Sequence, residues 1–197
     1  MMSYVAGLGT GLSLIVAIGA QNAFVLKQGL MRHHVFWVCL FCALSDAALI
    51  LLGVTGMSRV LSAAPVLAEA MRWAGAAFLI WYGARSFRAA WQGGEALRPE
   101  GNRATLGRTL AVISALTWLN PHVWLDTVVL LGTVSAQWPD PGAFGLGAMT
   151  GSFLFFFTLG YGARLLAPVF ARPRAWQILE LGIGVLMWSI ALALILN

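Results

Sequence analysis

The amino-acid sequence predicts an all-α membrane protein, with six transmembrane helices forming one domain over residues 1–197. Composition is the first reason. Hydrophobic residues make up 60% of the chain and charged residues 10%, with a mean hydropathy of +0.83, whereas a soluble domain carries about 25% charged residues. The second reason is arrangement. Runs free of Asp, Glu, Lys and Arg cover 1–26, 33–45, 47–58, 109–125, 127–139, 141–163 and 181–197, and one spanning helix needs roughly 20 predominantly apolar residues. Third, the formal charge of +5 and pI near 10.0 do not gather on one basic face, as binding to nucleic acid would require. The cations are shared among short connections between apolar runs, where membrane topology accounts for them.

Span one covers about 4–26. It is read as a helix rather than a secretory signal, because "MMSY" has no positive n-region and the first cation, Lys27, follows the apolar run. Span two covers about 35–58. Span three, about 66–88, is the weakest, with only twelve uncharged residues between Arg72 and Arg85. It must therefore reach back through Glu69 and Arg72, which are helical neighbours able to pair while Arg72 snorkels. If that helix lies on the surface instead, the count falls to five. Spans four, five and six cover about 109–134, 142–165 and 176–196. The longest connection, about 89–108, is polar and contains glycine, the signature of a loop.

Ten lysines and arginines follow spans one, three and five: Lys27, Arg32, Arg85, Arg88, Arg98, Arg103, Arg108, Arg164, Arg172 and Arg174. Only Arg59 and Arg72 fall on the other side. The richer side is the cytoplasmic one, which puts both termini outside. "GAQNAFVLK" in span one also echoes "TWLNPHVWLD" in span four, matching Asn22 to Asn120 and Val25 to Val123. Two halves of three spans each insert with opposite polarity, the inverted-repeat plan of many secondary transporters, whose sites lie on interrupted helices.

The chemistry concentrates at those interruptions. In "LTWLNPHVWLDTVVLLG" (116–132), Pro121 removes a backbone donor and clashes with the preceding turn, so span four breaks near Asn120 and Pro121. The Asn120 amide is placed to serve freed backbone groups, and such breaks persist where they line a cavity. In span one, Gly19 followed by Gln21 and Asn22 permits a matching break. Asp46 falls near the bilayer centre in span two, and Asp126 lies six residues beyond Asn120. An aspartate at that depth costs about 2.5–3.5 kcal/mol on insertion scales. No lysine or arginine lies deep in a span to neutralise the two carboxylates, which leaves them for a cation or for protons; the alternative is that both are protonated and hydrogen-bonded to neighbours such as Ser45, Thr127 or Asn22. His122 is a candidate proton relay or a cap on the break.

Other motifs carry less. "GLGTG" (7–11) has no strand before it and is no nucleotide loop. Gly7 with Gly11, and Gly147 with Gly151, have the GxxxG spacing of closely packed membrane helices, within one chain or across a homodimer. Trp37, Trp73, Trp91, Trp138 and Trp176 fall near span ends, as in an aromatic belt. Cys39 and Cys42 form a CxxC spacing, so a membrane thiol-redox carrier is an alternative reading, although no βαβ context surrounds them. His33 and His34 lack the further ligands of a metal site. The sequence offers no metal cluster, no cofactor motif and no nucleophile with a base, so no enzyme is expected.

"GAQNAFVLKQG" (19–29), "CALSDAALILLG" (42–53) and above all "LTWLNPHVWLDTVVLLG" resemble the corresponding segments of the lysine exporter family, LysE, most nearly its arginine-exporting branch. The similarity runs in order along nearly the whole chain. The family typically has proline before the Gln-Asn pair, where this chain has Ala20. The resemblance implies an exporter of basic L-amino acids, arginine and, as a second candidate, lysine, in a bacterial inner membrane; the proton motive force is the expected drive, because exchange for a proton cancels the electrical cost of moving a cation outward. It carries the family's deep aspartates onto Asp46 and Asp126, and its amides onto Gln21, Asn22 and Asn120. The related neutral amino-acid exporters, the alternative within transport, carry a "PGP" motif absent here.

Overall fold

The computed structural model describes residues 1–16, 19–56, 65–92, 104–166 and 168–196, whose regular structure is entirely helical. In chain order these are α1 (Met2–Ile15), α2 (Ala20–Met31), α3 (Val35–Val54), α4 (Pro65–Trp91), α5 (Leu106–Trp118), α6 (Pro121–Trp124), a π-helix (Leu125–Leu130), α7 (Leu131–Ser135), α8 (Pro141–Gly162) and α9 (Pro173–Leu196). Short 3-10 turns at Ala163–Leu166 and Val169–Ala171 join α8 to α9. Local chemistry sets several boundaries. Thr105 caps α5, its side chain accepting from the Arg108 amide, and Asp140 caps α8 by accepting from Ala143 N at 2.9 Å, with Pro141 in the first turn. Arg32 and His34, both at φ 52°, take left-handed conformations that end α2 and turn the chain into α3 within three residues.

Close backbone approach organises the packing. Gly7 and Gly11 of α1 lie against Phe144 and Ala148 of α8, while Gly147 lies against Tyr4 and Leu8. A Cβ on Gly11 would sit 2.9 Å from the Ala148 Cα, so a larger residue would force the helices apart. The two GxxxG pairs therefore serve each other within one chain. Gly53 of α3 meets Gly132 of α7 in the same manner. α3 packs on α8, and α4 runs along α9, where Gly184 faces Phe87 and Trp188 Nε1 donates to Ile80 O at 3.1 Å.

α3, the run Pro141–Leu166 and the run Arg174–Leu196 are long and apolar enough to cross a bilayer. Counting α1 and α2 as one broken span, meeting at 82°, gives four among the described residues. The expected third span corresponds to the 27-residue α4, which is long enough to cross but, with its charges, is not one of these apolar helices. Its Glu69–Arg72 pair forms at 3.4 Å, with the guanidinium 5.3 Å from the Trp73 ring centroid. The expected fourth span is divided into α5 and the segment from Pro121, each too short to cross alone. The first span runs past its expected end at 26 to Met31, so Lys27 lies inside α2 rather than in a connection. Trp37 and Trp91 are exposed at helix ends and Trp73 is exposed within α4, but Trp176 is buried, donating through Nε1 to Phe170 O at 2.7 Å; it is a packing residue, not part of a belt. Arg59, Arg98 and Arg103, with most of the 89–108 connection, lie outside the described residues.

Candidate functional site

Both expected interruptions are present, and they open onto one cavity. The first lies between Ile15 and Ala20, with Gly19 extended (φ −111°, ψ 176°) as the residue before α2. Asn22 Nδ2 donates to Ile15 O at 2.6 Å, closing a carbonyl that the end of α1 leaves free. Ala20, standing where proline is usual in the family, does not prevent the bend. The second interruption falls at Leu119 and Asn120. Here the freed Trp118 carbonyl is served at 3.0 Å by the Trp124 indole, which the sequence did not single out. The Trp118 indole in turn donates to Ser45 Oγ at 3.2 Å, tying this break to α3 one residue before Asp46. Pro121 occupies the first turn of the resumed helix, where a missing N–H costs nothing. The side chains of Pro121 and His122 lie outside the described residues.

The cavity holds about 310 Å3, near the lower end of the roughly 300–1,000 Å3 usual for small-molecule sites. Gly19, Gln21, Asn22, Asp46, Asn120 and Asp126 all line it, so the structure brings together five sequence-chosen polar residues and one of the two break residues. Phe156 and Ile190 contribute apolar wall from α8 and α9. Asp46, 5% exposed, is the buried carboxylate of the lining. Ser152 Oγ of α8 donates to its Oδ2 at 2.9 Å. Gln21 Nε2 is buried beside Asp46 and Cys42 without a hydrogen bond of ordinary geometry among the described residues.

Asp126 lies on the exposed rim of the cavity, whereas Asp46 is buried. The reason is helical phase: Val128, two residues on and roughly opposite, is the buried position of the π-helix. A π-helix is itself a feature that recurs at functional sites, because the widened turn re-aims side chains. Sequence reasoning also missed an ionisable pair. Lys27 Nζ contacts Glu180 Oε1 across α2 and α9, with side chains 17% and 3% exposed. Glu180 lies within the expected sixth span and satisfies the rule that singled out Asp46. Lys27, which the sequence reading placed in a connection, lies inside α2, and its ion pair is with Glu180 and not with either aspartate.

Cys39 and Cys42 are unpaired thiols, both fully buried in the main core, and Cys39 Sγ donates to Phe156 O at 3.2 Å. Nothing in that setting resembles the partly exposed, electropositive surroundings of reactive thiols.

Apolar helices of spanning length, two broken helices and a buried carboxylate at a cavity between them define an integral membrane translocator. The chain belongs to the family described as LysE type translocator, whose model matches residues 12–197. It is 42% identical over 191 residues to a putative amino-acid transporter, YggA, of Aeromonas salmonicida, covering 95% of this chain and 93% of that protein. It is 42% identical to the arginine exporter protein ArgO of Pectobacterium carotovorum subsp. carotovorum, over 93% of this chain and 92% of that protein. Against ArgO of Escherichia coli the figures are 41%, 97% and 92%. No solved structure matches the chain. As a member of this family the protein is a transporter, not an enzyme.

Proposed function

We propose that this protein exports L-arginine, with L-lysine as a second cargo, from the cytoplasm across a bacterial inner membrane in exchange for protons. The observation that carries the reading is Asp46, buried in the cavity wall and in no ion pair with Lys or Arg among the described residues. A carboxylate kept in that position is stabilised by a proton or by a positive partner from elsewhere. Relatives covering nearly the whole chain bear the name arginine exporter. Asp46 takes the cationic end of the substrate and Asp126, on the rim, receives it first. The start of α2, which has no side-chain cap, offers backbone N–H groups to the substrate carboxylate beside Gln21 and Asn120. Asn22 acts through the break, since its amide holds the end of α1.

Moving one positive charge outward against an inside-negative potential costs about 2.3 kcal/mol per 100 mV. Exchange for one proton cancels that cost, and a carboxylate that holds either a proton or the substrate cation, never both, couples the two fluxes. His122 is the proposed relay. Six helices in two inverted halves are the proposed architecture, supported by the packing of α3 on α8 and of α4 on α9, each against its counterpart. The cytoplasmic side is the one bearing Arg32, Arg85, Arg88, Arg108, Arg164, Arg172 and Arg174.

Proteoliposomes preloaded with labelled amino acids and given a defined proton gradient test this. The expected order of efflux is arginine, then lysine, with leucine at the background of empty liposomes. Arginine at background contradicts the proposal.

A further inference from the structure

The Lys27–Glu180 pair is unexplained by the cavity, and it is an uneven pair. Glu180 is 2% exposed. Lys27 engages Oε1, while Oε2 is buried with no hydrogen-bond partner among the described residues. A buried carboxylate left half satisfied is costly. An ammonium is a compact point charge, whereas a guanidinium is a planar fork that satisfies both carboxylate oxygens at once. Lys27 is also the chain's one lysine, every other cationic side chain apart from histidine being arginine.

Further buried polar atoms without partners among the described residues occur on the same helix as Lys27 and on its neighbour: Gln28 Oε1 on α2, and Thr109 Oγ1 and Thr117 Oγ1 on α5, with Gln21 Nε2 of α2 buried at the Asp46 cavity itself. Gln21, Phe24 and Gln28 are three and four residues apart, so they share one face of α2. Thr109, Ile113 and Thr117 repeat every four residues on α5, which packs against α2. Native interiors leave few such atoms unpaired. Four of them, spread over roughly 10–12 Å along α2 and α5, offer donors and acceptors suited to a polar cargo. Phe24, between Gln21 and Gln28 on that face of α2, packs edge to face with Tyr82 at 6.2 Å. The pair sits toward the end of the molecule where Arg85, Arg88 and Arg174 gather, the end from which an exported amino acid would enter.

We infer that Glu180 is a second cation-binding carboxylate on the substrate path, and that the guanidinium of an incoming amino acid displaces the Lys27 ammonium from it before reaching Asp46. Lys27 then acts as a built-in stand-in for the cargo: it keeps Glu180 paired when no substrate is present and yields to a better-fitting cation. This rests on the reading of the protein as an exporter of basic amino acids.

Two measurements test it. In purified wild-type protein, Lys27 acylation by a water-soluble anhydride, read by mass spectrometry, should rise several-fold with arginine or methylguanidinium and stay unchanged with citrulline, its neutral analogue. Unchanged or reduced labelling with arginine overturns the inference. In proteoliposomes, the charge-swapped variant Lys27→Glu/Glu180→Lys keeps the ion pair but moves the carboxylate to the other helix. The expected result, normalised to inserted protein, is a KM for arginine raised about tenfold or more. A KM equal to wild type means the pair is only a brace and overturns the inference. If wild-type protein moves no arginine, the proposed function fails. If it moves arginine while both tests are negative, only the role of Glu180 fails.

Discussion

Ser152→Ala isolates the one hydrogen bond that fixes the Asp46 carboxylate from the opposite helix. Ser152 is fully buried, Asp46 is 5% exposed and the bond is 2.9 Å long, so solvent has little room to replace the lost donor. A hydrogen bond to a charged group contributes about 1.5–3 kcal/mol net. At about 1.4 kcal/mol per factor of ten, this corresponds to roughly 10- to 150-fold in apparent affinity. The substrate cation itself recovers part of what the hydroxyl gave, so the lower figure, about tenfold, is the expected rise in KM for arginine efflux. The assay is efflux from proteoliposomes with inserted protein quantified, and Ser189→Ala is the control, since that hydroxyl is exposed and bonds only to Leu186 O within its own helix. Equal KM values for wild type and Ser152→Ala would refute the argument that α8 orients Asp46.

Three further outcomes follow from the packing. Gly147→Ala pushes a methyl into the Tyr4 backbone and should cost about 1–3 kcal/mol, seen as a lower thermal midpoint in detergent; Gly9→Ala, on the same helix pair but with nothing within 4 Å, should leave it unchanged. Asn22→Ala orphans the Ile15 carbonyl and should destabilise the protein by about 1–3 kcal/mol, measurable as faster proteolysis of the α1–α2 junction. Cys39→Ser and Cys42→Ser, singly or together, should retain arginine efflux per inserted molecule; its complete loss at normal insertion would revive a role for the thiols.

The sequence showed most about elements whose signal is local. Apolar length placed α3, α8 and α9 within a few residues, and Pro121 marked the second break because a missing donor acts on its own turn. What it did not show depends on partners distant in the chain. Lys27 lies inside α2, and its ammonium is received by Glu180, more than 150 positions later. The π-helix that turns Asp126 onto the rim has no composition signal of its own in "LDTVVL". Trp118 and Trp124 read as generic apolar residues until their indoles are seen closing the second break. Glu180 was legible by the rule that found Asp46, an acid inside an apolar run, but it lies near the start of its helix, where a charge reads as an end marker.

The account turns on the Asp46 carboxylate as the group that meets a cationic cargo. Labelled-arginine efflux from preloaded cells producing Asp46→Asn, with membrane-inserted protein matched to wild type, tests that most directly, and Asp126→Asn serves as the companion for the rim. The account predicts that Asp46→Asn abolishes export and that Asp126→Asn weakens it; wild-type efflux from the Asp46→Asn cells would contradict it.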